Sequence, residues 1–192
     1  MTDHAAFYAT LRQSGLAASL TQSQVDGFET VLNATSDQPM TSRAYMMATV
    51  FHECSRTMQP ITEYGPHSYF NKYEPGTRIG KALGNTQPGD GALFKGRGYV
   101  QLTGRANYTR AGEQVAADLI GNPELALRPD IAAHVMIQGM NHGWFTGKKL
   151  SDYMPRHDYV GARRVINGTD KALTIASYAA KFETALSAMG AR

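Results

Sequence analysis

The chain has 192 residues, enough for one domain with a real core, and its 42% hydrophobic and 18% charged content excludes a disordered chain. Its 19 Lys+Arg against 16 Asp+Glu give a net charge of +3, a balance too weak and too scattered for nucleic acid but suited to approaching an anionic polymer. The single cysteine, Cys54, excludes an internal disulfide and fits folding in a reducing cytoplasm.

Taken in chain order, the first element is a helix over about 4–13. The stretch MTDHAAFYATLRQSG carries polar residues throughout and reads as part of the fold, not as a secretion signal. A second helix is predicted over 22–34, where Thr21 and Gln24 form a capping box and Val25, Phe28, Val31 and Leu32 share one face. A third runs from about 41 to 57. Its apolar residues go nearly all round, which predicts a buried helix. From Pro60 to Gly96 repeated glycines and prolines predict a long loop with short strands or turns, and the interleaved Tyr64, Tyr69, Phe70 and Tyr73 argue against disorder. YVQLT at 99–103 reads as a short extended stretch. Helices resume over about 105–119, 129–146, 158–166 and 170–189. No apolar run approaches about 18 residues, so no membrane span or stable membrane association is expected. The fold class predicted is mainly α, with an irregular middle between two helical groups. A groove between such groups suits a polymer.

Glu53 ends the buried helix. An apolar setting would keep such a carboxyl protonated and able to give its proton to a leaving group. Glu63 follows Pro60 on the loop and is the candidate partner, because glycosidic hydrolysis generally needs two carboxyl groups. On spacing alone Glu74 has an equal claim. In FKGRGYVQLTGRANY, Gly96 and Gly98 flank Arg97, and the glycines allow a ligand close to the backbone. The segment lacks the phosphate-loop and dinucleotide patterns. Gln101, Thr103 and Asn107 suit sugar hydroxyls, amides or a water, with ordinary turn and cap bonding as the alternative. Arg97 and Tyr64 complete the candidate substrate contacts. Metal ligation is not expected: the His52–Glu53 pair is followed at the zinc-motif position by Arg56. Ser55 has no nucleophile elbow, Cys54 reads as a buried hydrophobe, and Trp144 suits either a sugar platform or the core.

FHE at Phe51–Glu53, GRGYVQLTGRANY at Gly96–Tyr108, DLIGNPELAL at Asp118–Leu127 and RRVINGT at Arg163–Thr169 together resemble glycoside hydrolase family 19, the chitinase-like family. More narrowly they look like its phage endolysin branch. The motifs keep the family's order over roughly 40–185. The resemblance implies a lysozyme-like, two-lobed fold around a substrate groove, with the loop and short-strand region lining it. It implies one catalytic domain over 1–192, with N-terminal helices (1–38) packed on a hydrolase core over about 40–190.

It further implies an inverting mechanism without cofactor, with Glu53 as general acid and Thr103 positioning the water. The general base lies on the following loop. Compact relatives place it nine residues after the acid; Glu63 stands at ten, and Glu74 nearer the spacing of longer-looped plant relatives. Glu63 is preferred. Gln101, Asn107 and Asn167 match substrate-contacting positions. This chain departs from the family after the His-Glu pair, where CSR (Cys54–Arg56) replaces a common glycine pair.

The expected activity is cleavage of peptidoglycan glycan strands by a monomeric endolysin, made in the host cytoplasm and released to the wall by a holin. The alternatives are a chitinase and a non-catalytic glycan-binding virion protein. An inverting pair would hold its carboxyls about 6.5–9.5 Å apart.

Overall fold

The computed structural model describes residues 3–191. Met1, Thr2 and Arg192, the ends of the predicted 1–192 domain, lie outside the described residues. The chain forms two compact units, one of residues 1–58 and 137–192 and the other of residues 59–136.

The first unit is built on α1 (His4–Gln13), α2 (Gln22–Ala34) and α3 (Met40–Glu53). Asp3 caps α1 through the amide of Ala6. The predicted capping box opens α2: Thr21 Oγ1 accepts from Gln24 N, and Gln24 Oε1 accepts from Thr21 N. The first two helices match their predicted spans. Buried residues run without a break from Ser42 to Phe51 on α3, as its all-round apolar pattern requires. Phe28, Phe51 and Phe182 pack ring against ring at 5.7–6.3 Å, which joins α2 and α3 to the C-terminal helix.

The third helix stops at Glu53, four residues before its predicted end. Ser55, Arg56 and Met58 adopt φ values of +50°, +66° and +58°, where the αR repeat cannot continue. The chain turns there because Met58 lies against α2: a Cβ at Gly27 would stand 2.2 Å from the Met58 carbonyl oxygen.

In the second unit, β1 (Ile61–Thr62) leads to a 3-10 segment (His67–Tyr73), α4 (Arg78–Ala82), α5 (Asp90–Leu93) and β2 (Arg97–Gly98). The predicted loop therefore holds three short helical segments. Polar latches hold them. Asp90 accepts from the amides of Thr86 and Gln87 and pairs with Arg105 at 2.6 Å, so that its carboxyl falls to about 2, with the Arg105 bond as the largest cause. Asn85 donates to the Tyr73 carbonyl and accepts from Arg105 N.

The two strands pair antiparallel, Ile61 with Gly98 and Thr62 with Arg97. Residues 99–103 are not extended. Arg97 and Leu102 exchange backbone hydrogen bonds, and positive φ at Gly98 (+87°) and Gln101 (+55°) folds the segment into a turn. Strand-favouring side chains were outweighed by backbone geometry. Then come α6 (Arg105–Val115), a 3-10 turn (Pro123–Leu127) and α7 (Pro129–His142), whose residues are divided between the units. The rest of the first unit is three 3-10 turns, including Gly161–Val165 in place of the predicted helix over 158–166, and α8 (Ala172–Ala188).

Candidate functional site

In the first unit, Glu53 is the last residue of a helix that is buried around its whole girth. Its carboxylate leaves that core. Glu53 Oε1 lies 2.5 Å from Arg163 Nη1, with the glutamate side chain one-fifth exposed and the arginine only 2% exposed. Arg163 Nε also donates to the Asp170 carbonyl at 2.8 Å. The expected apolar setting for Glu53 is thus corrected: the group that faces it is a buried cation. The physical reason is that the helix ends at Glu53, so its side chain meets the C-terminal segment. Arg163 was not singled out in the sequence, although it stands in RRVINGT; an arginine pair beside apolar Val165 and Ile166 was the available signal. Asn167, exposed, ties back to the same turn by donating its amide to the Arg163 carbonyl.

Cys54, next to Glu53, is buried. Burial first and the Glu53 charge second push its thiol up to about 12, which removes it as a nucleophile at neutral pH.

In the second unit, Glu63 continues the β1–β2 ladder, its amide donating to the Gly96 carbonyl at 2.7 Å. The side chain is held from three sides. Tyr73 Oη donates to Oε1 at 2.9 Å, Gly96 N donates to Oε2 at 3.1 Å, and Lys72 Nζ stands 3.7 Å from Oε1. Burial, as the largest cause, raises the Tyr73 phenol, so it remains a donor. Lys72 itself lies over the Tyr69 and Tyr73 rings at 3.4 and 4.6 Å. Gly96 is needed here, since a Cβ would stand 2.7 Å from Gln101 Oε1 and 3.3 Å from Glu63 Cβ. The segment therefore brings Glu63, Gly96, Gln101 and Tyr73 into one cluster. Tyr64, beside Glu63 in the chain, is 97% exposed, free to lie against a flat sugar face.

Glu74 has a different surrounding. Its two carboxylate oxygens accept from the amides of Gly89 and Gly91 at 2.8 and 3.0 Å. Glu74 thereby braces the start of α5. Arg97 is corrected as a substrate contact. It is 4% exposed, and its donors go to Glu124, the Leu93 carbonyl and Tyr108 Oη at 2.6–3.0 Å. A glycine-flanked arginine looked available for ligand; instead Gly98 lets it turn inward. Gln101 gives its amide N–H groups to the carbonyls of Ile61 and Gly98, and Asn107 gives one to Thr103. Thr103 Oγ1 donates to the Gln101 carbonyl at 2.8 Å, which leaves its lone pairs to accept.

No protein-family profile matches the chain. Chitinase 8 of Oryza sativa subsp. japonica is 30% identical over 79 residues, covering 41% of this chain and 28% of that protein. An acidic endochitinase of Petunia hybrida is 31% identical over 84 residues, covering 44% of this chain and 30% of that protein. The matched stretches thus span less than a third of either plant relative. Among solved structures, chitinase C of Streptomyces griseus aligns with 98% of this chain and 76% of its own at a TM-score of 0.62 and 18% identity. A bacterial family 19 chitinase aligns over 100% and 96% at a TM-score of 0.62 and 19% identity. The course of the backbone agrees with both, and the chain has the family 19 chitinase-like fold.

Proposed function

We propose that the chain is an inverting glycoside hydrolase that cuts the glycan strands of bacterial peptidoglycan as a monomeric endolysin. The observation that carries the hydrolase reading is the hold on the two carboxylates. Each is about one-fifth exposed and each is fixed by strong donors, Glu53 by Arg163 and Glu63 by Tyr73 and Gly96. Fixed, reachable carboxylates are what acid–base cleavage of a glycosidic bond requires.

In this reading Glu53, ion-paired with Arg163 in the free protein, takes up a proton from solvent as substrate binds and gives it to the glycosidic oxygen as the bond to the anomeric carbon breaks. Arg163 then faces the carboxylate left behind. Glu63 takes a proton from a water whose oxygen attacks the anomeric carbon from the opposite face. Thr103, its own hydrogen committed to Gln101, accepts the water's second hydrogen. Tyr64, Gln101, Asn107 and Asn167 supply sugar contacts. Resemblance to the endolysin branch supports peptidoglycan over chitin, and holin-dependent release from the host cytoplasm belongs to the same proposal. Chitin is the second reading, because the relatives found carry chitinase names.

The test is to digest purified peptidoglycan and chitin oligomers with wild type, Glu53→Gln, Glu63→Gln and Glu74→Gln, and to identify new reducing ends by mass spectrometry. New N-acetylmuramic acid ends lost in Glu53→Gln and Glu63→Gln are expected. Cleavage of chitin alone favours the chitinase. Binding to both polymers without cutting either refutes the hydrolase and leaves a glycan-binding protein.

A further inference from the structure

Directly after Glu53 the backbone does something costly. Ser55 and Arg56 sit at φ +50° and +66°, a region that side chains with a Cβ enter at a price and glycine enters freely. Here side chains are kept, and Arg56 is held in place. Its amide donates to the Phe51 carbonyl at 2.8 Å and its carbonyl accepts from Gln24 Nε2 at 3.0 Å. Its guanidinium lies 5.7 Å from the Phe51 ring centroid and 6.0 Å from that of Tyr178, and it donates to Tyr178 Oη at 3.2 Å. Yet Arg56 is exposed, and among the described residues no carboxylate pairs with it. The two buried arginines of the candidate motifs differ in this respect, since Arg97 and Arg163 each have a glutamate.

The guanidinium borders a cavity of about 370 Å³, lined by Phe51, His52, Ser55, Arg56 and Tyr178. Its polar groups are a fixed cation, an imidazole and two hydroxyls. That set matches an organic carboxylate, which a guanidinium takes with two parallel hydrogen bonds. We infer that this cavity, centred on Arg56, binds a carboxylate carried by the glycan strand and so selects strands bearing acidic peptide stems over neutral N-acetylglucosamine polymers. The inference rests on the hydrolase reading for its place beside Glu53, which adjoins His52 in the chain, but its chemistry is that of binding alone.

The test is sedimentation of the full chain on ice with intact peptidoglycan, with peptidoglycan whose carboxylates are blocked by amidation, and with chitin particles. Wild type, Arg56→Gln and Arg56→Gly are compared. Wild type is expected to bind intact strands about tenfold more tightly than either variant, the worth of one charge-assisted contact, and all three to bind blocked strands alike. Arg56→Gly, relieved of its φ, is expected to melt no lower than Arg56→Gln, so a binding loss common to both is not a folding loss. Equal binding by all three to intact strands, or indifference of wild type to blocking, overturns the carboxylate site. If the binding difference stands while reducing-end assays detect no cleavage, the hydrolase reading fails and the site survives. Cleavage with no binding difference has the opposite meaning.

Discussion

The Glu53–Arg163 pair invites a double-mutant cycle. Arg163 is 2% exposed and its partner one-fifth exposed, with 2.5 Å between their charged atoms. Arg163→Met leaves Glu53 partly buried without its cation. Removing one partner of a buried pair costs about 3–5 kcal/mol, and the exposure of Glu53 puts this case at about 3. The lost bond from Nε to the Asp170 carbonyl adds about 1 kcal/mol. Glu53→Gln keeps an acceptor but strands a buried guanidinium, at about 2–3 kcal/mol. The double variant has neither charge and should cost only about 2 kcal/mol. The coupling is then about 4–5 kcal/mol, far above the few tenths expected of independent sites. Urea unfolding of the four proteins at neutral pH measures it. Additivity within about 0.5 kcal/mol would refute the claim that these side chains depend on one another.

Three other outcomes follow from the geometry. Asp90 has a folded pKa near 2 against 3.8 for the free group, so its stabilisation is complete above the free value and is lost as pH falls through the folded one. That difference is worth about 2 kcal/mol, and Asp90→Asn should remove it from acid-unfolding curves followed between pH 5 and 2. Tyr73→Phe deletes the donor to Glu63 Oε1 and should lower kcat about tenfold while circular dichroism is unchanged; full kcat would count against Glu63 as base. Glu74→Gln should retain cleavage yet lose about 1 kcal/mol of stability, since an amide oxygen replaces only one of two acceptors for Gly89 and Gly91.

How much of this could be read from the sequence depended on whether the cause was local. Thr21 and Gln24 act on each other within one turn, and α2 begins where they place it. The all-round apolar residues of α3 had to be buried, and they are. The end of α3 was misplaced because the left-handed positions that stop it hold serine, arginine and methionine, which carry no stop signal. Short helices such as Arg78–Ala82 and Asp90–Leu93 have no room for periodicity, and long-range latches to Asp90 and Glu74 hold that region together. Arg163 meets Glu53 across 110 positions, and Arg97 meets Glu124 across 27. Neither pairing leaves a trace in spacing, so the arginine that pairs with Glu53 was overlooked and one internal arginine was taken for a ligand contact.

Gly27 lies 26 positions ahead of Glu53 and touches no proposed substrate atom. Its missing Cβ is what admits the Met58 carbonyl against α2, and the path of the chain between Glu53 and the second unit starts from that contact. A saturation scan scored by the yield of folded protein would rank position 27 among the least tolerant on α2. Designers who wish to graft a new loop after α3 inherit the same constraint: the helix behind it must be recut first.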